Sequence, residues 1–132
     1  MKKEYIIDES KWMHWSSDQL VLDRDRDGTY YYSTLYNHRS GKSCCLGLIG
    51  IQCGVERGVM EDELLPYHLP EDYAVKFPYK LQIEDGTVMA LTQLNDKPLE
   101  IFETMSDRQV KMVKLFAEID VTIRFVTGKE DI

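Results

Sequence analysis

The segment from Gly41 to Gly54, Gly-Lys-Ser-Cys-Cys-Leu-Gly-Leu-Ile-Gly-Ile-Gln-Cys-Gly, sets the tightest condition on how this chain can fold. A polar turn hands over to an uncharged helix that opens on two cysteines and carries Gly47, Gly50 and Gly54. These glycines stand at i, i+3 and i+7, so they share one helix face. Each interior glycine costs roughly 1 kcal/mol relative to alanine, so the stripe predicts another backbone packed close against it. Ser43 is the expected N-cap, and Gly54 the expected residue just past the helix end. A cysteine at a helix start sits where a thiolate is most readily stabilised. Cys45 is expected to face the core with Leu48, Ile49 and Cys53.

Size and charge narrow the function classes. A chain of 132 residues forms one domain able to bury roughly two thirds of its unfolded surface. Residues 128–132 are expected to form a frayed tail. The net charge of −7 argues against binding a nucleic-acid backbone, which needs a basic face. No apolar run approaches the roughly 18–20 residues that span a bilayer, and the N-terminus lacks the apolar core of a signal peptide. Three cysteines, two of them adjacent, fit a reducing compartment better than a disulfide framework. The expected setting is the cytoplasm, with no cofactor and no membrane partner.

Along the chain, Tyr5 to Trp15 reads as a short strand or helix entry that gives two tryptophans to the core. Leu20–Leu22 and Thr29–Tyr36 read as a hairpin around the Asp-Gly turn at 27–28. Asn37 to Lys42 is a second turn. A short helix is expected over Val59–Leu65, a loop over Pro70–Pro78, a strand over Tyr79–Ile83 and a helix over Thr87–Leu94. Ser106 and Gln109 form a capping box for a helix over 106–119, whose inward face is Val110, Val113, Phe116, Ala117 and Asp120. Val121 to Val126 alternates as a strand with one wet face. The predicted fold class is α+β, a small, mostly antiparallel sheet against two principal helices over about 43–54 and 106–119.

Several groups of residues have the chemistry for a site. Asp23, Asp25 and Asp27 with Gly28 match the first half of a calcium loop. Thr34 stands where the bidentate Glu belongs, however, removing two of about seven oxygen ligands. A charged hairpin turn is the competing reading. Cys44 and Cys45 point about 100° apart on a helix and lack partners at metal-ligand spacing. Asn95 and Asp96 follow an apolar run, where such side chains commonly bond nearby backbone. Tyr30, Tyr31, Tyr32 and Tyr36 place tyrosines on both faces of a strand, and tyrosine is favoured in interfaces.

Two resemblances bear on function. Cys45-Leu-Gly-Leu-Ile resembles the start of the catalytic helix in papain-like cell-wall peptidases of the NlpC type. That likeness implies Cys45 as nucleophile and a histidine base downstream. The downstream histidine here is His68, in the loop-like Pro-Tyr-His-Leu-Pro, earlier than in those enzymes. Separately, Lys11-Trp12, Gly41-Lys-Ser-Cys-Cys-Leu-Gly-Leu and Leu91-Thr-Gln-Leu-Asn-Asp are together similar to a group of small proteins of bacteriophages and prophages. This resemblance implies a phage accessory protein acting inside a host cell.

Three functional readings follow. The preferred one is a non-enzymatic module that binds a host protein through an acidic, tyrosine-bearing surface. The second is a cysteine-dependent hydrolase or transferase using Cys45 with His68 or His38. The third is a calcium-stabilised domain using Asp23, Asp25 and Asp27. A homodimer is also open to the chain if Val121–Val126 lies at a sheet edge.

Overall fold

The computed structural model of the protein describes residues 4–14, 34–37, 41–61, 63–83, 86–96 and 103–127. Its sheet joins the two ends of the sequence. Strand β1 (Glu4–Asp8) pairs in parallel with β2 (Thr122–Val126), in a register that sets Glu4 beside Thr122 and Asp8 beside Val126. Among the described residues, five α-helices run between them: α1 (Cys45–Gln52), α2 (Arg57–Met60), α3 (Glu71–Ala74), α4 (Gly86–Asp96) and α5 (Met105–Ala117). Two 3-10 turns, Pro66–His68 and Tyr79–Leu81, complete the order.

The class is α+β, but the mostly antiparallel sheet expected from the sequence is replaced by this parallel pair. Parallel strands need a long crossover, and here nearly the whole chain supplies it. The two principal helices also become three, since α4 is comparable in length to α5. The strand expected over Tyr79–Ile83 is a 3-10 turn, and α3 stands within the expected loop 70–78. Proline at 70 and again at 78 directly precedes a short helical turn, a position that suits its fixed φ. The Asp-Gly hairpin around 27–28 lies outside the described residues, as does the tail 128–132.

Helix α1 is central because its glycines let neighbours come close. A Cβ on Gly47 would overlap the backbone carbonyl of Leu35, so the expected backbone contact is present there. Gly50 instead meets side chains: a Cβ would lie 2.6 Å from Phe77 Cζ and 2.8 Å from Met60 Sδ. Gly54, at φ +91°, ends the helix in the left-handed region as expected, and a Cβ placed on it would meet open space. Cys45, Leu46, Leu48 and Ile49 are all buried, and Ile7, Trp12, Leu35, Met60, Leu81, Leu91, Met112 and Phe116 close around them.

Helix α5 departs from expectation in its rotation. Its buried residues are Arg108, Met112 and Phe116, while Val110 and Val113 are 51% and 37% exposed. The capping box is formed by Thr104 and Asp107: Thr104 Oγ1 accepts from Asp107 N–H (3.1 Å) and Asp107 Oδ2 accepts from Thr104 N–H (2.9 Å). Starting the helix there, rather than at Ser106, accompanies a stripe that runs through 105, 108, 112 and 116. Asp120 is off the helix altogether, at φ +60° in the turn before β2.

Candidate functional site

Cys44 and Cys45 occupy the helix start that the sequence indicated, and Cys45 faces the core with Leu48 and Ile49 as expected, while Cys53 is half-buried. Cys44 is the N-cap residue of α1 and makes no side-chain cap bond; Ser43, expected in that role, is one residue too early. Cys45 is fully buried. Burial pushes the Cys44 thiol up to about 12 and raises that of Cys45 well above its ordinary value, with Asp96 acting in the same direction on both. Backbone N–H groups of the first turn act the other way, as a helix N-terminus should. Desolvation outweighs them. His68 is exposed on its 3-10 turn, edge-on to Tyr67 at 5.0 Å, and Cys45 is shut inside the protein. The two are therefore in opposite environments, and thiolate formation at Cys45 is disfavoured.

Asn95 has a larger role than its sequence context indicates. Its buried side chain joins three separate segments. Oδ1 accepts from Trp12 Nε1–H (2.7 Å) and from the Cys45 backbone N–H (3.3 Å), while Nδ2 donates to the Met13 carbonyl (3.0 Å) and to Asp96 Oδ1 (2.9 Å). The Cys45 N–H is one of the orphan donors that every helix start exposes. Asn95 satisfies it from the last turn of α4, in place of a local cap. The expected bonding to nearby backbone gives way to contacts 50 and 82 residues distant.

Arg108 and Glu103 had no marked signal in the sequence. The buried guanidinium meets Glu103 through Nε (3.2 Å) and Nη2 (2.8 Å), and its Nη1 donates to the Leu94 carbonyl (2.6 Å). Lys111 adds a further contact to Glu103 at 3.1 Å. Arg108 thus serves one of the orphan carbonyls at the end of α4 from the facing helix. Met105, Arg108, Met112 and Phe116 share a helical spacing in the sequence, but Arg108 puts a charge on that stripe. His14 lies on Trp12, with ring centroids 4.3 Å apart. Burial first, then Lys42 and Arg108, lowers its pKa to about 4.

These polar contacts are internal and organise the core. The surface facing outward differs. A groove of about 360 Å³ lies between α5 and β2, lined by Val110, Val113, Lys114, Ile123, Arg124 and Phe125, with Ser106 and Gln109 at one end of the helix wall. The valines are the two that the expected helix rotation would have buried. Tyr79, Val75 and Ile83 are also exposed, on the turns after α3.

The other predicted residues divide simply. Tyr36 is half-buried against the core beside its bridge to Glu61. Tyr30, Tyr31, Tyr32, Asp23, Asp25 and Asp27 lie outside the described residues. Among the described residues no three His, Cys, Asp or Glu side chains are grouped to hold a metal ion, and no helix is long and apolar enough to cross a membrane. Compared with known proteins, the chain matches no family model, no curated protein and no solved structure.

Proposed function

We propose that this chain is a non-enzymatic protein-binding module, an accessory protein of phage type that acts on a host protein in the host cytoplasm. The observation that carries this reading is the contrast between the buried thiol at position 45 and the open groove between α5 and β2. A cysteine nucleophile needs an accessible thiolate and a neighbouring base. Cys45 is fully buried with its thiol held protonated, and His68 sits on an exposed turn. The groove, in contrast, has exposed valines on one wall and a strand on the other, features that suit a macromolecular partner. The phage origin and the host setting rest on the resemblance of the three sequence segments named above.

Alkylation of the native protein at a series of pH values, followed by intact mass, tests the reading. Cys44 and Cys45 should label only as fast as the protein unfolds, with no labelling midpoint below the ordinary thiol value of about 8.5. Rapid labelling of Cys45 alone, with a midpoint below about 7, would replace this reading with the cysteine hydrolase.

A further inference from the structure

We propose that the groove between α5 and β2 receives an extended acidic segment of another protein, which adds as a third strand to the outer edge of β2. The proposal deepens the protein-binding reading and rests on it.

The backbone pattern defines the edge. Val126 O accepts from Glu9 N–H at 2.8 Å, so in the parallel register Thr122, Arg124 and Val126 turn their backbone groups toward β1. Alternation then turns the N–H and C=O of Ile123 and Phe125 outward. No described residue bonds to those outward groups. The opposite edge of the sheet is treated differently. Gln52 of α1 accepts from Ile6 N–H (2.8 Å) and donates to Ile6 C=O (2.7 Å), so one side-chain amide occupies the place of a neighbouring strand. Among the described residues, the β1 edge is thus closed at its centre and the β2 edge faces a groove.

The shape and charge of the groove specify the occupant. Ile123 and Phe125 both line the groove, so the edge they form borders a cleft rather than a flat surface. Polar backbone in such a place gains from pairing with another strand. Helix α5 runs beside it and presents Val110 and Val113 as a wall against which apolar side chains of an added strand can pack. Lys114 and Arg124 also line the cleft, and among the described residues no aspartate or glutamate does, in a chain of net charge −7. This local excess of cation selects a carboxylate-bearing segment about as long as β2, which has 5 residues. Arg124 Nε already touches Glu4 at 3.0 Å, but both side chains are about half exposed, and such a pair contributes little that an incoming carboxylate would not restore.

A second copy fits less well. Antiparallel pairing of β2 with itself, using both outward residues, sets Ile123 opposite Phe125 of the other copy. That register places Arg124 directly opposite Arg124, a like-charge pair that destabilises a sheet.

Hydrogen exchange and peptide selection test the proposal together. In the protein alone, the amides of Ile123 and Phe125 should exchange faster than that of Arg124; equal protection would show that the chain covers its own edge and would overturn the proposal. A random dodecapeptide display library panned on the full chain should yield acidic sequences with alternating apolar residues. Synthetic copies of the selected peptides should slow exchange at Ile123 and Phe125, and should bind about tenfold more weakly to Arg124→Glu. Val113→Asp should weaken them comparably, and unchanged melting temperatures would show that both variants fold. Peptides indifferent to both substitutions, or a library without enrichment, would remove the groove but leave the protein-binding reading standing. That reading falls separately, through rapid alkylation of Cys45. A dimer in light scattering whose strength depends on position 124 would make the occupant a second copy and overturn the proposal.

Discussion

Asn95, buried in the core, and His14, packed against Trp12, show how much of this protein's stability depends on single polar side chains. Replacing Asn95 by leucine keeps the approximate volume but strands the Trp12 Nε1–H, the Cys45 N–H and the Met13 carbonyl. At one to three kcal/mol for each buried group left without a partner, with partial rearrangement, Asn95→Leu should destabilise the protein by about 3 kcal/mol. The urea midpoint should fall accordingly at unchanged slope. His14 gives a pH dependence of definite sign. Its folded pKa of about 4 lies below the unfolded 6.5, so between these values the unfolded chain binds more protons. Stability should therefore decline as pH falls from about 6.5 to about 4 and level off below, through this group alone. Because His14 is partly reached by solvent, the loss is on the order of 1–2 kcal/mol. His14→Gln should flatten this part of the pH profile, as read by thermal melts across the window.

At the scale of elements, α1 and α5 each separate what a helix needs from what its surroundings impose. Gly47 is required by the Leu35 backbone, whereas nothing stands within 4 Å of a Cβ placed on Gly54. Gly47→Ala should cost about 3 kcal/mol or more, because backbone has to move to admit a methyl group. Circular dichroism melts would show it. For α5, the rotation seen here predicts unequal effects on two neighbouring turns. Met112→Ala empties a fully buried site and should cost about 3 kcal/mol, while Val110→Ala, at an exposed position, should stay within about 0.5 kcal/mol. Equal costs would mean that the helix presents the other stripe. Neither helix begins where the sequence placed it, since Ser43 and Ser106 are both plausible caps. The better partners, Asn95 for α1 and Thr104 with Asp107 for α5, were respectively remote and two residues upstream.

Over the whole molecule, the sheet pairs two segments far apart in the sequence, so each strand depends on the other for its hydrogen-bonded partner. Glu4 to Asp8 lies beside Thr122 to Val126, with Gln52 bonded to the other edge of β1. Deleting residues 1–8 would remove Ile7 from the core and expose a second edge of β2. The shortened chain is expected to lose its cooperative thermal transition, which calorimetry would detect as a missing heat-absorption peak. A normal transition would mean that the helices alone form the stable core. The same topology accounts for the different treatment of the two edges: α1 reaches β1 with a glutamine, while α5 stands back from β2 and leaves a cleft.

The α+β class, the helices over 45–52, 86–96 and 105–117 to within a few residues, the terminal strand and the close approach at Gly47 were all legible in the amino-acid order. These follow from local rules: periodicity, turn residues, and the cost of glycine in a helix. Tertiary structure decided whether the strands ran parallel, which face of α5 turned inward, and whether Cys45 was a reactive thiol or a core residue. Strand direction depends on which segments meet, and period-2 alternation is identical for either direction. The rotation of α5 depended on Arg108 finding both Glu103 and the Leu94 carbonyl, a pairing that permits a charge on the buried stripe. The cysteine question depended on desolvation, which outweighs the helix N-terminus only once the surrounding side chains have closed over it.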